Sequence, residues 1–230
     1  MPPRALTRSS LQRGLRALAA RDSDLARVLR QVGEPPLWGR QPGFSTLVRI
    51  ILEQQVSLVA AQAMFRRMAA HLGGVNARGI DALGVDGLRA LGLTRQKATY
   101  CHGLARRVLD GGLDLTAIAR GPDEVGRAAL LAVPGLGPWS VDIYYLMALR
   151  RPDVWPQGDL ALASALRTVK RLHHQPPLKR QQVIASRWSP WRSVAARILW
   201  AHYLAGRNRL RAAASTKCST VSSGHRLRRI

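Results

Sequence analysis

One carboxylate, Asp159, opens a helical run downstream of a close glycine pair, Gly135 and Gly137. A carboxylate fixed beside a reacting centre stabilises positive charge developing in a transition state, and it can orient or deprotonate a water. The glycines do different work. Flanking one apolar residue, Leu136, they make a tight hairpin in which glycine supplies positive φ and lets another backbone come close. The N–H groups of Gly135, Gly137 and the helix start that follows form a cup for an anion, in practice a phosphate. A phosphate grip followed by one acid points to chemistry on a nucleic acid. The plain alternative for Asp159 is an ordinary helix N-cap, and the neighbouring acids Asp142 and Asp153 read as structural.

Helices must hold these groups. The hairpin Val133-Pro134-Gly135-Leu136-Gly137 joins an apolar helix, predicted from Pro122 to about Ala132, to a second one running to about Leu149. Pro138 suits the first position of that second helix, where its missing N–H costs nothing. A loop over 151–158 leads to the helix of Asp159, which extends to about Arg171. Upstream, residues 1–10 read as disordered or weakly helical, and 11–32 show helical spacing with Asp22 or Ser23 as a cap in the middle. Further helices are predicted over 44–54, over 57–71 behind the cap Ser57, and over 94–109 behind Thr94. Short elements occupy 81–91. Ser189-Pro190 reads as a cap followed by a first-position proline for a helix to Leu204. From Gly206 the chain has seven Arg or Lys, no acid and few large apolar groups, the pattern of a basic disordered tail. No strand pattern appears, so the expected class is all-α.

The net charge of +23 and a pI near 11.8 call for a polyanionic partner, with nucleic acid the usual one. No run of apolar residues is long enough for a membrane helix, and the N-terminus lacks a secretory signal's apolar core. Cys101 and Cys218 are too few and too far apart for a disulfide framework, which suits a reducing intracellular compartment.

Four segments, taken in order, carry a resemblance. Ile-Leu-Glu-Gln-Gln-Val-Ser from Ile51 is similar to the early helix of the helix-hairpin-helix DNA glycosylases, and Val-Pro-Gly-Leu-Gly-Pro-Trp-Ser-Val from Val133 to their hairpin. Asp-Val-Trp-Pro-Gln-Gly-Asp-Leu-Ala-Leu from Asp153 resembles their catalytic loop, and Trp-Ser-Pro-Trp-Arg-Ser-Val-Ala from Trp188 their late helix start. Within that superfamily the chain resembles the compact all-helical 3-methyladenine DNA glycosylase II branch.

The resemblance implies a two-lobed all-α fold over residues 1–205, with the active-site cleft between the lobes. One lobe would cover about 44–150, the other 11–32 plus 159–205, with 206–230 a basic tail. It implies hydrolytic excision of alkylated purines, such as 3-methyladenine and 7-methylguanine, after base flipping, leaving an abasic site in base excision repair. Asp159 would be the catalytic residue. Trp139, Gln54, Gln55, Tyr144 and Trp155 would meet the base; Gly135, Leu136, Gly137, Ser140, His71 and Arg192 would meet the DNA. His71 falls at the position of the wedge that fills the vacated stack. Core packing of Trp139 and a helix-terminal role for His71 are the competing readings.

The same resemblance puts a monovalent cation, Na+ or K+, on the carbonyls of Leu131, Val133 and Leu136, with no required cofactor. Two cysteines cannot hold the iron–sulfur cluster of other branches. Trp139 stands where strand-cleaving members carry a Schiff-base lysine, so no lysine-based lyase is expected. The expected partner is duplex DNA containing alkylated bases, met by a monomer on the nucleoid in the cytoplasm, or in the nucleus of a eukaryote. A non-catalytic DNA-binding or damage-sensing module, and a glycosylase for oxidised or deaminated bases, are the alternative readings.

Overall fold

The computed structural model describes residues 5–223, and every regular element among them is helical. In chain order these are α1 (Arg8–Arg21), α2 (Ser23–Val32), α3 (Phe44–Glu53), α4 (Leu58–Leu72), α5 (Ala77–Ala90), α6 (Arg95–Leu109), α7 (Leu115–Arg120), α8 (Asp123–Leu131), α9 (Pro138–Ile143), a π-helical turn (Tyr144–Ala148), α10 (Leu160–Val169), α11 (Leu178–Ser186) and α12 (Arg192–Ser223). The chain forms two compact units, one from residues 7–37 with 158 onward, the other chiefly from 38–157. None of these helices is long and apolar enough to cross a membrane.

In the first unit α1, α2, α10, α11 and α12 pack around Leu15, Leu18, Leu25, Val28, Leu166, Val194 and Ile198, all buried. Thr7 caps α1 through a capping box with Ser10, so helix begins at Arg8 where weak order was expected. Asp22 leaves helical geometry and caps α2, its carboxylate accepting from the N–H groups of Asp24 (3.1 Å) and Leu25 (3.2 Å). The Ser189–Pro190 peptide is cis, and a turn closed from the Trp191 N–H to the Trp188 carbonyl (2.7 Å) precedes α12. Pro190 is therefore not the first helical residue that the sequence suggested. Nor does helix stop at Leu204: α12 continues to Ser223 through much of the expected disordered tail. No proline interrupts 207–223, and Ala212, Ala213 and Ala214 favour helix. Residues 224–230 of that expected tail lie outside the described residues.

The second unit is centred on α3, which packs against α4, α6, α9 and the π turn. Its sequence is apolar almost all round, and Leu47, Val48, Ile50, Ile51 and Leu52 are fully buried. Gly84 (φ 63°) kinks α5 where short separate elements were expected. The second hairpin helix also changes character: α-geometry ends at Ile143, and the Leu149 N–H reaches back to the Tyr144 carbonyl at 3.1 Å.

Candidate active site

The hairpin is a short turn between α8 and α9, closed by the Leu136 N–H donating to the Val133 carbonyl at 3.0 Å. Its two glycines differ. Gly135 has φ +89°, and a Cβ there would lie 2.4 Å from the Tyr100 ring, so conformation and space both demand glycine. Gly137 has ordinary extended geometry (φ −83°, ψ 178°) with open space where a Cβ would stand. The expected positive φ therefore holds for Gly135 alone. Gly137 keeps the N-terminal end of α9 bare, which suits an approaching phosphate.

Behind the hairpin sits Gln54, at the C-terminal end of α3. Its side-chain NH2 donates to the Gly135 carbonyl (2.7 Å) and to the Ser140 hydroxyl (2.9 Å). Gln54 is thus a latch on the hairpin, and so is buried Ser140, where contacts with base and DNA were expected. An amide serves a base edge or a carbonyl equally well, so its residue type does not distinguish the two. Gln55 is exposed at φ +56°, unusual for a non-glycine. It leads into Val56, Leu58 and Val59, which are 41%, 65% and 71% exposed.

Asp159 is the N-cap of α10. Its Oδ1 accepts from the Leu162 N–H at 2.9 Å and from the Trp200 indole N–H at 3.3 Å. Gly158 precedes it at φ +77°, and Leu160 follows, 78% exposed. Cap and candidate catalyst are therefore one group, and the cap fixes how the carboxylate points. Trp200 has no signal in the sequence, since it reaches Asp159 from α12 through tertiary packing alone.

Asp142 is buried on α9. One of its oxygens pairs with the Arg127 guanidinium of α8 and the other accepts the Gln157 N–H at 3.0 Å. It fastens the loop that leads to Gly158. Asp153 lines a separate open depression of about 610 Å³ with Arg120, Asp123 and Arg151, which holds neither the hairpin glycines nor Asp159.

Several expected contacts move. Tyr144 is fully buried and its hydroxyl accepts the Gly43 N–H at 3.0 Å. Burial pushes that hydroxyl above the usual tyrosine value, with the Gly43 bond pulling the other way. Trp155 is 6% exposed. Both aromatics support the core rather than face a cleft. Trp139 stays half-buried in the first turn of α9, beside Gly137. His71 is exposed in the last turn of α4. Arg192, half-buried, is the first residue of α12. Among the described residues no cluster of three or more His, Cys, Asp or Glu could hold a metal ion. At the hairpin the oxygen donors are backbone carbonyls, and that of Val133 already accepts one hydrogen bond.

A helix-hairpin-helix scaffold with a capped aspartate on the helix beyond it defines a class of DNA-handling protein. Residues 48–192 match the model for the HhH-GPD superfamily of base excision DNA repair proteins, and the chain belongs to that superfamily. It is similar to a putative DNA-3-methyladenine glycosylase of Bacillus subtilis, 26% identical over 166 residues, covering 68% of this chain and 58% of that protein. It is also similar to a probable bifunctional transcriptional activator/DNA repair enzyme of Mycobacterium tuberculosis, 30% identical over 209 residues, covering 80% of this chain and 41% of that protein. The chain thus spans about half the length of these relatives. A Schizosaccharomyces pombe 3-methyladenine DNA glycosylase in complex with abasic DNA has the same fold, with a TM-score of 0.75, 24% identity, and coverage of 82% of this chain and 95% of that one.

Proposed function

We propose that this chain is a DNA glycosylase that flips alkylated purines out of duplex DNA and releases them by hydrolysis, leaving an abasic site. The observation that carries this reading is the Asp159 carboxylate, oriented by the Leu162 N–H and the Trp200 indole in a chain of the HhH-GPD superfamily. Breaking the N-glycosidic bond sends its electron pair to the base and leaves positive charge on the sugar. A fixed carboxylate stabilises that charge and takes a proton from the attacking water. A 3-methylated or 7-methylated purine is cationic before cleavage, so it departs without a strong general acid, and the π-face of Trp139 attracts it. The names of the relatives support the choice of 3-methyladenine. Trp139 offers no amine for a Schiff base, so the strand stays intact. The hairpin amides hold phosphate, and the carbonyls of Leu131, Val133 and Leu136 would hold a monovalent cation that adds positive charge beside it.

The test is base release by the purified chain from duplexes carrying 3-methyladenine, 7-methylguanine, 8-oxoguanine or uracil. Release of the methylated purines without strand cleavage is expected. Release of the oxidised or deaminated bases instead would move the chain to a neighbouring specificity. Duplex binding with no release from any substrate would make it a binding module.

A further inference from the structure

Lys97 occupies an unusual place for a lysine. It lies on α6 at 9% exposure, and its ammonium donates to the carbonyls of Leu52 (2.7 Å) and Gln54 (2.9 Å). No acidic side chain pairs with it among the described residues. One turn along α6, the buried Cys101 thiol is pushed up to about 12 by burial, so at neutral pH it supplies no countercharge. An ammonium buried without a carboxylate is costly. What compensates it is the end of α3, where the last carbonyls lack intrahelical donors and the helix dipole is negative.

The contacts continue beyond that helix end. Gln54, whose carbonyl Lys97 holds, uses its side chain to hold the Gly135 carbonyl and the Ser140 hydroxyl. Tyr100, also on α6, packs its ring against Gly135. One helix therefore reaches the hairpin by two routes, one polar and one aromatic.

We propose that Lys97 is a positioning residue for the DNA grip. By fixing the backbone of Gln54 it lets the Gln54 amide lock Gly135 and Ser140, and so sets the direction in which the N–H groups at the start of α9 are presented. This rests on reading the hairpin as the surface that takes phosphate. A methionine would fill the same space while leaving two carbonyls without a donor.

The experiment uses the full chain with Lys97→Met, Lys97→Arg, Gln54→Leu and the Lys97→Met/Gln54→Leu double variant. Three things are measured: Kd for a duplex bearing a tetrahydrofuran abasic analogue, the single-turnover rate of base release at saturating duplex, and Tm. Each loss-of-contact variant should weaken duplex binding about tenfold, and Lys97→Met should keep the saturated rate within about twofold of wild type. Lys97→Arg should recover most of the affinity. The double variant should bind no worse than the weaker single one, because both break the same relay. Wild-type affinity in Lys97→Met, or additive losses in the double variant, would overturn the proposal. If Lys97→Met does not fold, wild-type affinity in Gln54→Leu overturns it as well. A wild-type chain that does not bind the duplex at all would instead overturn the reading of the hairpin.

Discussion

Two of the contacts that hold Asp159, one from a local donor and one from a distant donor, differ in how far they can be read. An aspartate ahead of an apolar helix announces the bond from Leu162. The Trp200 bond comes from α12, 41 positions on, and no spacing rule finds it. Asp159→Asn keeps an acceptor for the cap and removes the charge. Release of 7-methylguanine should then fall by at least about a hundredfold, while Tm and duplex affinity stay near wild type; full-rate release would take Asp159 out of the chemistry. Trp200→Phe keeps the bulk and loses the donor, so the saturated rate should drop by about three- to tenfold with little change in Kd. The misread residues share a cause. Tyr144 and Trp155 sit in apolar stretches where burial is the ordinary fate of an aromatic, and residue type does not say which way such a side chain faces.

At the scale of elements, helices announced by their own caps were legible. α4 behind Ser57 and α6 behind Thr94 lie within a residue of expectation. The π turn was not legible, because Tyr144 and Tyr145 are fully buried within it and a 3.6-residue period carries no trace of that packing. The hairpin offers a clean comparison. Gly135→Ala must adopt φ +89° and push Tyr100 aside, which should cost about 1–3 kcal/mol of stability and be visible as a lower Tm. Gly137→Ala meets nothing and needs no unusual φ, so Tm should hold while duplex affinity falls, its methyl group standing where phosphate approaches. Equal affinity in Gly137→Ala would move the phosphate away from that face. In the other unit, Asp22 links α2 to Lys170 (2.7 Å) and Trp188 (2.8 Å). Burial raises its carboxyl, but the hydrogen bonds from Lys170, Trp188 and the Leu25 N–H, with the Lys170 charge, outweigh it and hold the group below its usual value. Its contribution to stability is therefore present above the unfolded value of about 3.9 and is lost as pH falls through the folded one. Thermal melts should show Tm falling below about pH 4, and Asp22→Asn should melt lower at pH 7 with a shallower acid decline.

For the molecule as a whole, the charge matters more than its total suggests. Of the 13 acids, at least seven among the described residues (Asp22, Asp24, Glu53, Asp81, Asp86, Asp123 and Asp142) already face a cationic side chain of the chain itself. Little negative charge is left to offset the remaining arginines, so the +23 acts outward. Binding to duplex DNA then releases counterions, and log Kd should rise linearly with log salt at roughly 0.9 per phosphate neutralised. The chemical step should behave differently. On the proposed function, Asp159 would act on charge that develops and disappears at one sugar, and groups in direct contact lie well inside the screening length of about 8–10 Å in physiological salt. Single-turnover release at saturating duplex should therefore change little over the same range of salt that weakens binding by orders of magnitude. A saturated rate that fell in parallel with affinity would mean that mobile ions reach the carboxylate, and that the site is open to solvent when the base departs. An affinity indifferent to salt would leave the excess of arginine without a role in DNA binding, and the hairpin amides would have to carry the contact alone.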